Sequence, residues 1–396
     1  MSTELVIFNA VKQMTKNADS KKTSVGLYYD FSRAFDIVNH EKLLNKLEKY
    51  GIRGVGYELI RSYLANRSQV VNIMNAENHY ISSRIMIRQG VPQGSILGPI
   101  LFLLYVNDLP KALNLGNAYQ FADDTSVIIT GTNALELSTK ASAMSNSIVK
   151  WSEANILKLN ITKTGLVIFN KSINCEESLY VKLQNRSIPI SDHTKFLGVT
   201  MDATLSWQTH INVLNNRLSS ICGVIRYLRD QVSVCSLRTY YYAHMQSLIS
   251  YGIIFWGSSV YSQKIFITQK RILRCILNLD QRSSCKEFFC KLDILPVSSL
   301  YFLGLVCFVK KYPYLFLRNS GQYSNNMHIN TRQCNKLAIP SHKSTYYEKG
   351  AYYQAIKAYS SLPKELKNIT VFKKFRSSVI SYLRHKCYYS FNCWLI

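Results

Sequence analysis

Three carboxylates stand out by their settings. Asp30 closes an apolar run, VGLYY (25–29), and Asp123 with Asp124 forms an acidic pair inside YQFADDTSVI (119–128). Neighbouring carboxylates repel one another, and a hard divalent cation neutralises them best. Mg²⁺ takes a few carboxylates and leaves its other positions to water and phosphate oxygens. Two such ions clamp the attacking and leaving oxygens of an in-line phosphoryl displacement. An acid at a strand end beside paired acids on a hairpin is the layout that two-metal nucleotidyl transfer needs. Taken alone, the pair also reads as a solvated Asp-Asp turn that does no chemistry.

The elements that must position these acids follow from periodicity. Residues 4–16 show helix-like spacing, with Leu5, Ile7, Phe8, Val11 and Met14 apolar. Residues 25–29 read as a buried strand. Asn39 is placed to cap a helix whose apolar face is Leu43, Leu47 and Tyr50 and which stops at Gly51. Residues 70–74 and 81–87 alternate weakly, as a hairpin does. GVPQGSILGP (90–99), with three glycines and two prolines, reads as a rigid loop feeding a buried apolar helix over 100–106. Two β-rich runs within 118–129 flank the acidic turn, which puts Asp123 and Asp124 at a hairpin tip. A helix over 135–154 and strands over 166–169 and 196–200 complete an α+β region of mainly antiparallel sheet. From about Trp207 the spacing turns helical, with Ile211, Leu214, Leu218, Ile221, Ile225 and Leu228 on one face. The expected domains are therefore 1–205, a helical 206–312, and a basic, Tyr-rich 313–396 that is loop-like to about 350 and helical after it.

Composition narrows the class. The chain has 396 residues, 47% of them hydrophobic and 18% charged, with mean hydropathy −0.04. It can bury an ordinary core, which excludes a disordered tail, a collagen or a coiled coil. Lys and Arg number 48 against 23 Asp and Glu, a net charge of +25. Residues 1–200 hold 22 basic and 16 acidic side chains, and 201–396 hold 26 and 7. So strong an excess in the second half favours a nucleic-acid partner, with an anionic membrane as its rival. Arg217, Arg226, Arg229, Lys264, Lys270, Arg271 and Arg274 decorate the helices there and are the candidate phosphate contacts. The longest apolar runs, 96–106 and 300–309, fall short of the roughly 18–20 residues that span a bilayer. No basic-then-apolar leader opens the chain, so no membrane association and an intracellular location, nuclear and cytoplasmic, are expected. Ten cysteines without a CxxC pair read as reduced, mostly buried thiols, and His385, Cys387 and Cys393 lack the spacing of a zinc site.

Five segments in order carry a resemblance: YYDFSRAFDIVNHEKL (28–43), RQGVPQGSILGPILFLLYVNDL (88–109), YQFADDTSVI (119–128), LKLNITKT (157–164) and KFLGV (195–199). Together they resemble the reverse transcriptase of non-LTR, LINE-type retrotransposons over most of residues 1–200. The resemblance implies a right-hand polymerase: a palm with partial fingers, then an all-α thumb and a helical C-terminal region. It implies that Asp30, Asp123 and Asp124 hold two Mg²⁺ ions, Mn²⁺ serving as well, with the Phe31 carbonyl as an extra ligand. Phe35 matches the bulky residue that collides with a ribose 2′-OH and so selects dNTPs. Asp36 matches the second acid of that motif, with a structural role such as a helix cap. Gln93 and Gly94 match the loop against the incoming nucleotide and template, and Lys163 the lysine that protonates the leaving pyrophosphate. Phe196, Leu197 and Gly198 match the hairpin that grips the primer end. SYGIIFWG (250–257) and QKRILRCIL (269–277) look like the region after the palm, where a thumb holds the duplex.

The implied partners are an RNA template, a DNA primer and dNTPs. The family also places a basic fingers segment ahead of the opening helix and an endonuclease elsewhere in its polyprotein. Neither is evident here, nor is an RNase H acid set in the tail, so the chain is expected to be a piece of a longer protein or a truncated copy. An RNA-dependent RNA polymerase shares the acidic motifs, but Phe35 argues against it. A catalytically inactive nucleic-acid-binding remnant is the alternative from another class.

Overall fold

The computed structural model describes residues 2–75, 78–113, 116–169, 179–184, 186–317 and 337–390. The chain is a mixture of helix and sheet that divides into two compact units. The first is Thr23–Ser191, and the second joins Ser2–Lys22 to Asp192–Ile396. The division therefore falls at 191/192 rather than near 205, and the opening helix leaves the region to which its place in the sequence assigned it.

The first unit is organised by a four-stranded antiparallel sheet in the order Asn117–Phe121, Asp124–Gly131, Thr23–Tyr29, Gly165–Phe169. Strand Thr23–Tyr29 is buried along its whole length, as an apolar run flanked on both sides requires. Its Val25, Leu27 and Tyr29 share a core with Leu101, Phe102 and Tyr105 of helix Leu97–Val106 and with Leu137, Ala141, Met144 and Ile148 of helix Ala134–Ala154. Each of the larger aliphatic and Phe side chains contributes roughly 1.5–3 kcal/mol. Asn133 begins the long helix by accepting from the Glu136 N–H at 2.8 Å, and the Glu136 carboxylate reaches back to the Thr132 N–H, a reciprocal cap.

Helix His40–Lys49 is capped as expected, the Asn39 side chain accepting from the Lys42 N–H at 2.9 Å. Leu43 and Leu47 are fully buried, but Tyr50 is 40% exposed because it is the C-cap residue, beyond the apolar stripe. The hairpin pairs Ser68–Gln69 with Ile85–Met86 and Asn72–Met74 with His79–Ile81, and all of these residues are exposed. The apolar helix of the motif starts at Leu97 and buries one side only. Leu101 and Phe102 face the core while Ile100 and Leu103 are half exposed.

In the second unit, Ser2 caps helix Thr3–Asp19. The Phe8 ring lies 4.5 Å from that of Phe308 and also meets Phe316 and Tyr352. These aromatic partners, remote in sequence, are why the helix belongs here. The run over 196–200 is two strands with a turn between them, His193–Phe196 and Val199–Asp202. Helices Gln208–Leu228 and Gln263–Ile276 pack together, bringing the Cys222 and Cys275 sulfurs to 3.8 Å. Helix Val234–Tyr240 continues through a π-turn, Tyr241–Gln246, into Ser247–Ser250. Helix Val297–Lys311 packs on Ala351–Ser361 and Phe372–Lys386, so the described residues of 206–312 and 313–396 share one compact unit. The expectation of mostly buried cysteines holds for Cys222, Cys275 and Cys285 but not for the exposed Cys235 and Cys290. Cys175, Cys334 and Cys393 lie outside the described residues. Among the described residues no helix is long and apolar enough to cross a membrane.

Candidate active site

Strand register brings the three acids together. The ladder ends with Tyr29 paired to Thr125, so Asp30 and Asp124 are the next residues on the two strands, close enough for their charges to act on each other. Phe121 pairs with Asp124, which leaves Ala122 and Asp123 as a two-residue hairpin loop. Such a loop needs a positive φ, and Ala122 supplies it at 53°. A non-glycine residue there stores about 1–2 kcal/mol of strain, and the strain aims the acidic tip.

The Asp124 carboxyl is pushed above the ordinary aspartate range, first by loss of solvent and then by the charges of Asp123 and Asp30. The side chain nonetheless keeps solvent contact, so the site is open on one side. Asp30 leans toward Lys163, whose Nζ stands 3.8 Å from Oδ2, a loose and exposed pair of small energetic weight. The Asn160 N–H donates to the Asp30 carbonyl and the Ser32 N–H to that of Lys158, both at 2.8 Å. These bonds bracket the Phe31 and Leu159 bridge. The Phe31 carbonyl therefore points away from Leu159. Its side chain is buried, edge-on to Trp151 at 6.2 Å. Among the described residues no three side chains of His, Cys, Asp or Glu close into a ready-made metal cage. The donors are nonetheless all hard oxygens whose like charges are already costly to one another, and this chemistry suits a hard divalent cation.

The glycine-rich loop is latched to the segment after Asp30. Val91 N–H donates to the Phe35 carbonyl and Gly90 N–H to that of Val38, each at 2.8 Å. Gln93 Nε2 donates to Asp36 Oδ1 at 2.7 Å. Asp36 thus anchors Gln93 and caps no helix, since Asn39 does that. Gly94 has φ 84° with open space around its α-carbon, so its freedom serves the turn and not a close approach within the chain. Gly90 is the tighter position, because a Cβ there would meet the Asp36 carbonyl oxygen at 2.6 Å. Phe35 stacks on Phe102 at 4.2 Å and is half-buried, so one ring serves the core and presents an edge to solvent.

In the second unit, Phe196 is buried and pairs with Val199, with Leu197 (φ 46°) and Gly198 (φ 84°) as the turn. Tyr251 Oη donates to the Leu197 carbonyl at 2.6 Å, and its ring would lie 3.0 Å from a Cβ at Gly198. Of the basic residues, Arg217, Arg226, Lys264 and Arg271 are exposed. Lys264 donates to Asn212 Oδ1 at 2.9 Å. Arg274 is engaged through two bonds to the Ser283 carbonyl, Arg229 reaches Asp230, and Lys270 lies over the Phe266 ring. Tyr241 and Trp256 are fully buried, so their rings serve the core. Sequence reading did not single out Gly90, Ala122 or Tyr251. Only Gly90, first of the loop's three glycines, carried a visible signal.

A family model described as reverse transcriptase (RNA-dependent DNA polymerase) matches residues 1–201. A probable RNA-directed DNA polymerase from transposon BS of Drosophila melanogaster is 28% identical over 287 residues, 69% of this chain and 31% of the relative. The RNA-directed DNA polymerase from mobile element jockey of the same fly is 27% identical over 271 residues, 65% of this chain and 29% of its own. The chain thus spans about a third of the length of these relatives. Among solved structures, telomerase from Candida albicans aligns with 96% of this chain and 54% of its own at 12% identity and a TM-score of 0.39, too loose a likeness to carry an argument. With just over half of its residues matched by the family model, and the acidic strand ends inside the matched part, the chain belongs to the reverse transcriptase family.

Proposed function

We propose that this chain is the polymerase segment of a non-LTR retrotransposon and extends a DNA primer on an RNA template with dNTPs. The observation that carries the reading is that Asp30 and Asp124 follow the last pair of one ladder, with Asp123 at the adjoining tip and the three charges acting on one another, inside the family-matched region. Asp30, Asp123, Asp124 and the Phe31 carbonyl would hold two Mg²⁺ or Mn²⁺ ions, which when bound supply Lewis-acid stabilisation of developing charge. Phe35, backed by Phe102, resists displacement and so excludes a ribose 2′-OH. Gln93, fixed by Asp36, positions the nucleotide, and the flexible turn at Gly94 lets backbone adapt to it. Lys163 Nζ, exposed beside Asp30, delivers a proton to the departing pyrophosphate.

In this reading residues 23–191 are the palm with partial fingers. The 193–202 hairpin grips the primer end, and the basic helices are the thumb. Their exposed Arg217, Arg226, Lys264 and Arg271 hold the duplex through phosphates, with salt-dependent affinity.

The test is primer extension on an RNA template with Mg²⁺ and either dNTPs or rNTPs, beside an Asp123→Ala control. Incorporation of dNTPs alone, lost in the control while template–primer binding persists, is the expected result. Equal loss of binding and synthesis in Asp123→Ala refutes the metal-ligand role. Binding without any synthesis by the parent chain would favour the inactive remnant.

A further inference from the structure

A cavity of about 480 Å³ opens in the second unit, on elements that contribute nothing to the carboxylate site. It lies within the range of roughly 300–1,000 Å³ typical of small-ligand sites. Its lining comes from the helix around the π-turn, from Ile253 of the short helix Ile253–Trp256, from residues 293–307, and from helix Phe372–Lys386. Three guanidiniums, Arg238, Arg376 and Arg384, share it with one carboxylate, Asp293. Arg238 Nη2 donates to Asp293 Oδ2 at 2.9 Å, and Arg384 Nε stands 3.8 Å from Oδ1. Arg376 is exposed and has no carboxylate partner among the described residues. One aspartate cannot balance three arginines, so the cavity carries an uncompensated positive charge fit for a phosphate.

Beneath the arginines, Ile253, Leu295, Leu300 and Leu303 form a buried apolar floor. Asp293 is held at φ 58°, and its carbonyl accepts from Tyr242 Oη at 2.7 Å. That bond keeps the Tyr242 ring in the lining. Gln246, the last residue of the π-turn, has a buried Oε1 with no hydrogen-bond partner. A buried acceptor left unanswered is costly, and π-turns inside helices recur at functional sites.

We propose that this cavity binds a single nucleotide. Its phosphate sits on Arg376 and Arg384, its base lies on the apolar floor beside Tyr242, and an N–H or hydroxyl of the nucleoside donates to Gln246 Oε1. Phosphate alone would leave the floor and Gln246 unanswered, and an apolar molecule alone would leave the arginines unpaired. A nucleoside monophosphate answers all three. The nucleotide has two sources, a free mononucleotide or the 5′-phosphorylated end of an RNA strand.

The test uses the full chain in EDTA, which removes metal-dependent nucleotide binding at the carboxylates. Equilibrium dialysis measures binding of labelled 5′-AMP, with adenosine, inorganic phosphate and a 5′-phosphorylated RNA hexamer as competitors. Saturable 5′-AMP binding is expected, with adenosine and phosphate each weaker by about tenfold or more. Arg376→Ala and Gln246→Leu should each weaken it by about tenfold, the first with an unchanged thermal melt and the second with a melt no lower than the parent's, since it removes the unanswered acceptor. Ile380→Trp, which fills the cavity without altering charge, should abolish it. Competition by the hexamer that disappears in Arg376→Ala assigns the site to RNA ends, and its absence assigns it to free nucleotides. Phosphate competing as well as 5′-AMP, or binding indifferent to both Arg376→Ala and Ile380→Trp, overturns the proposal.

Discussion

Gly90→Ala should unlatch the loop that carries Gln93 without touching any of the three acids. Gly90 has φ 89°, and a Cβ there would lie 2.6 Å from the Asp36 carbonyl oxygen and 2.9 Å from its carbonyl carbon and Cα. Left-handed backbone costs an L-residue about 1–2 kcal/mol. The clash is with backbone, so no side-chain rotation relieves it. Either the 35–36 or the 90–91 segment must move, and one of the bonds Val91 N–H to Phe35 O or Gly90 N–H to Val38 O is lost, at about 0.5–1.5 kcal/mol. Together these give about 1.5–3.5 kcal/mol, which lowers Tm by about 3–14 °C in a unit of this size. Gly94→Ala is the matched control, because φ is 84° but nothing lies within 4 Å. It should cost only the conformational part, about 1–2 kcal/mol. Thermal unfolding followed by near-UV circular dichroism compares the two, and primer extension below both transitions should show a raised dNTP KM for Gly90→Ala. Equal losses in the two variants would refute the steric argument.

Asp124→Asn should melt higher than the parent at pH 7, because the folded state disfavours the charged carboxylate. The gap should narrow as pH falls through the raised folded value and vanish below the ordinary 3.8, where both states are protonated, and a gap independent of pH would contradict this. His210 accepts from the Thr200 N–H at 3.3 Å, and burial, then Arg217, lowers its pKa to about 4. Stability from the neutral ring is full above the ordinary 6.5 and is lost as pH falls toward 4. His210→Gln should flatten that slope, and a parent Tm already flat across this window would sink the idea. Tyr251→Phe removes the bond to Leu197, so it should cost about 1 kcal/mol and lower primer retention while leaving the dNTP KM unchanged. A shift in that KM instead would detach Tyr251 from the turn.

The chemistry-bearing residues were legible because each sits at a local boundary that pattern reveals. Asp30 follows an apolar strand, Asp123 and Asp124 interrupt a β-rich run, and Asn39 precedes an amphipathic helix. Longer-range facts were hidden. Periodicity shows that residues 4–16 have an apolar stripe but not that Phe308 and Tyr352 cover it. Gln93 and Asp36 lie 57 positions apart, and no local pattern links them. Tyr50 was misread because a helix-spaced aromatic at a C-terminus looks like the last core residue. The apolar helix after Gly94 was expected to be buried throughout, since composition alone does not say that Ile100 and Leu103 face outward.

The second unit is written in the chain as two pieces, Ser2–Lys22 and Asp192–Ile396, with the first unit inserted between them. A ribosome releases helix Thr3–Asp19 long before helices Val297–Lys311 and Ala351–Ser361. At about 5–20 residues per second, the interval from Asp19 to Val297 lasts about 15–55 s. Leu5, Phe8, Val11 and Met14 wait through it without their native partners, a nascent stripe for chaperones to cover. Helix Thr3–Asp19 is thus buried only after the whole sheet that bears the acids has been made.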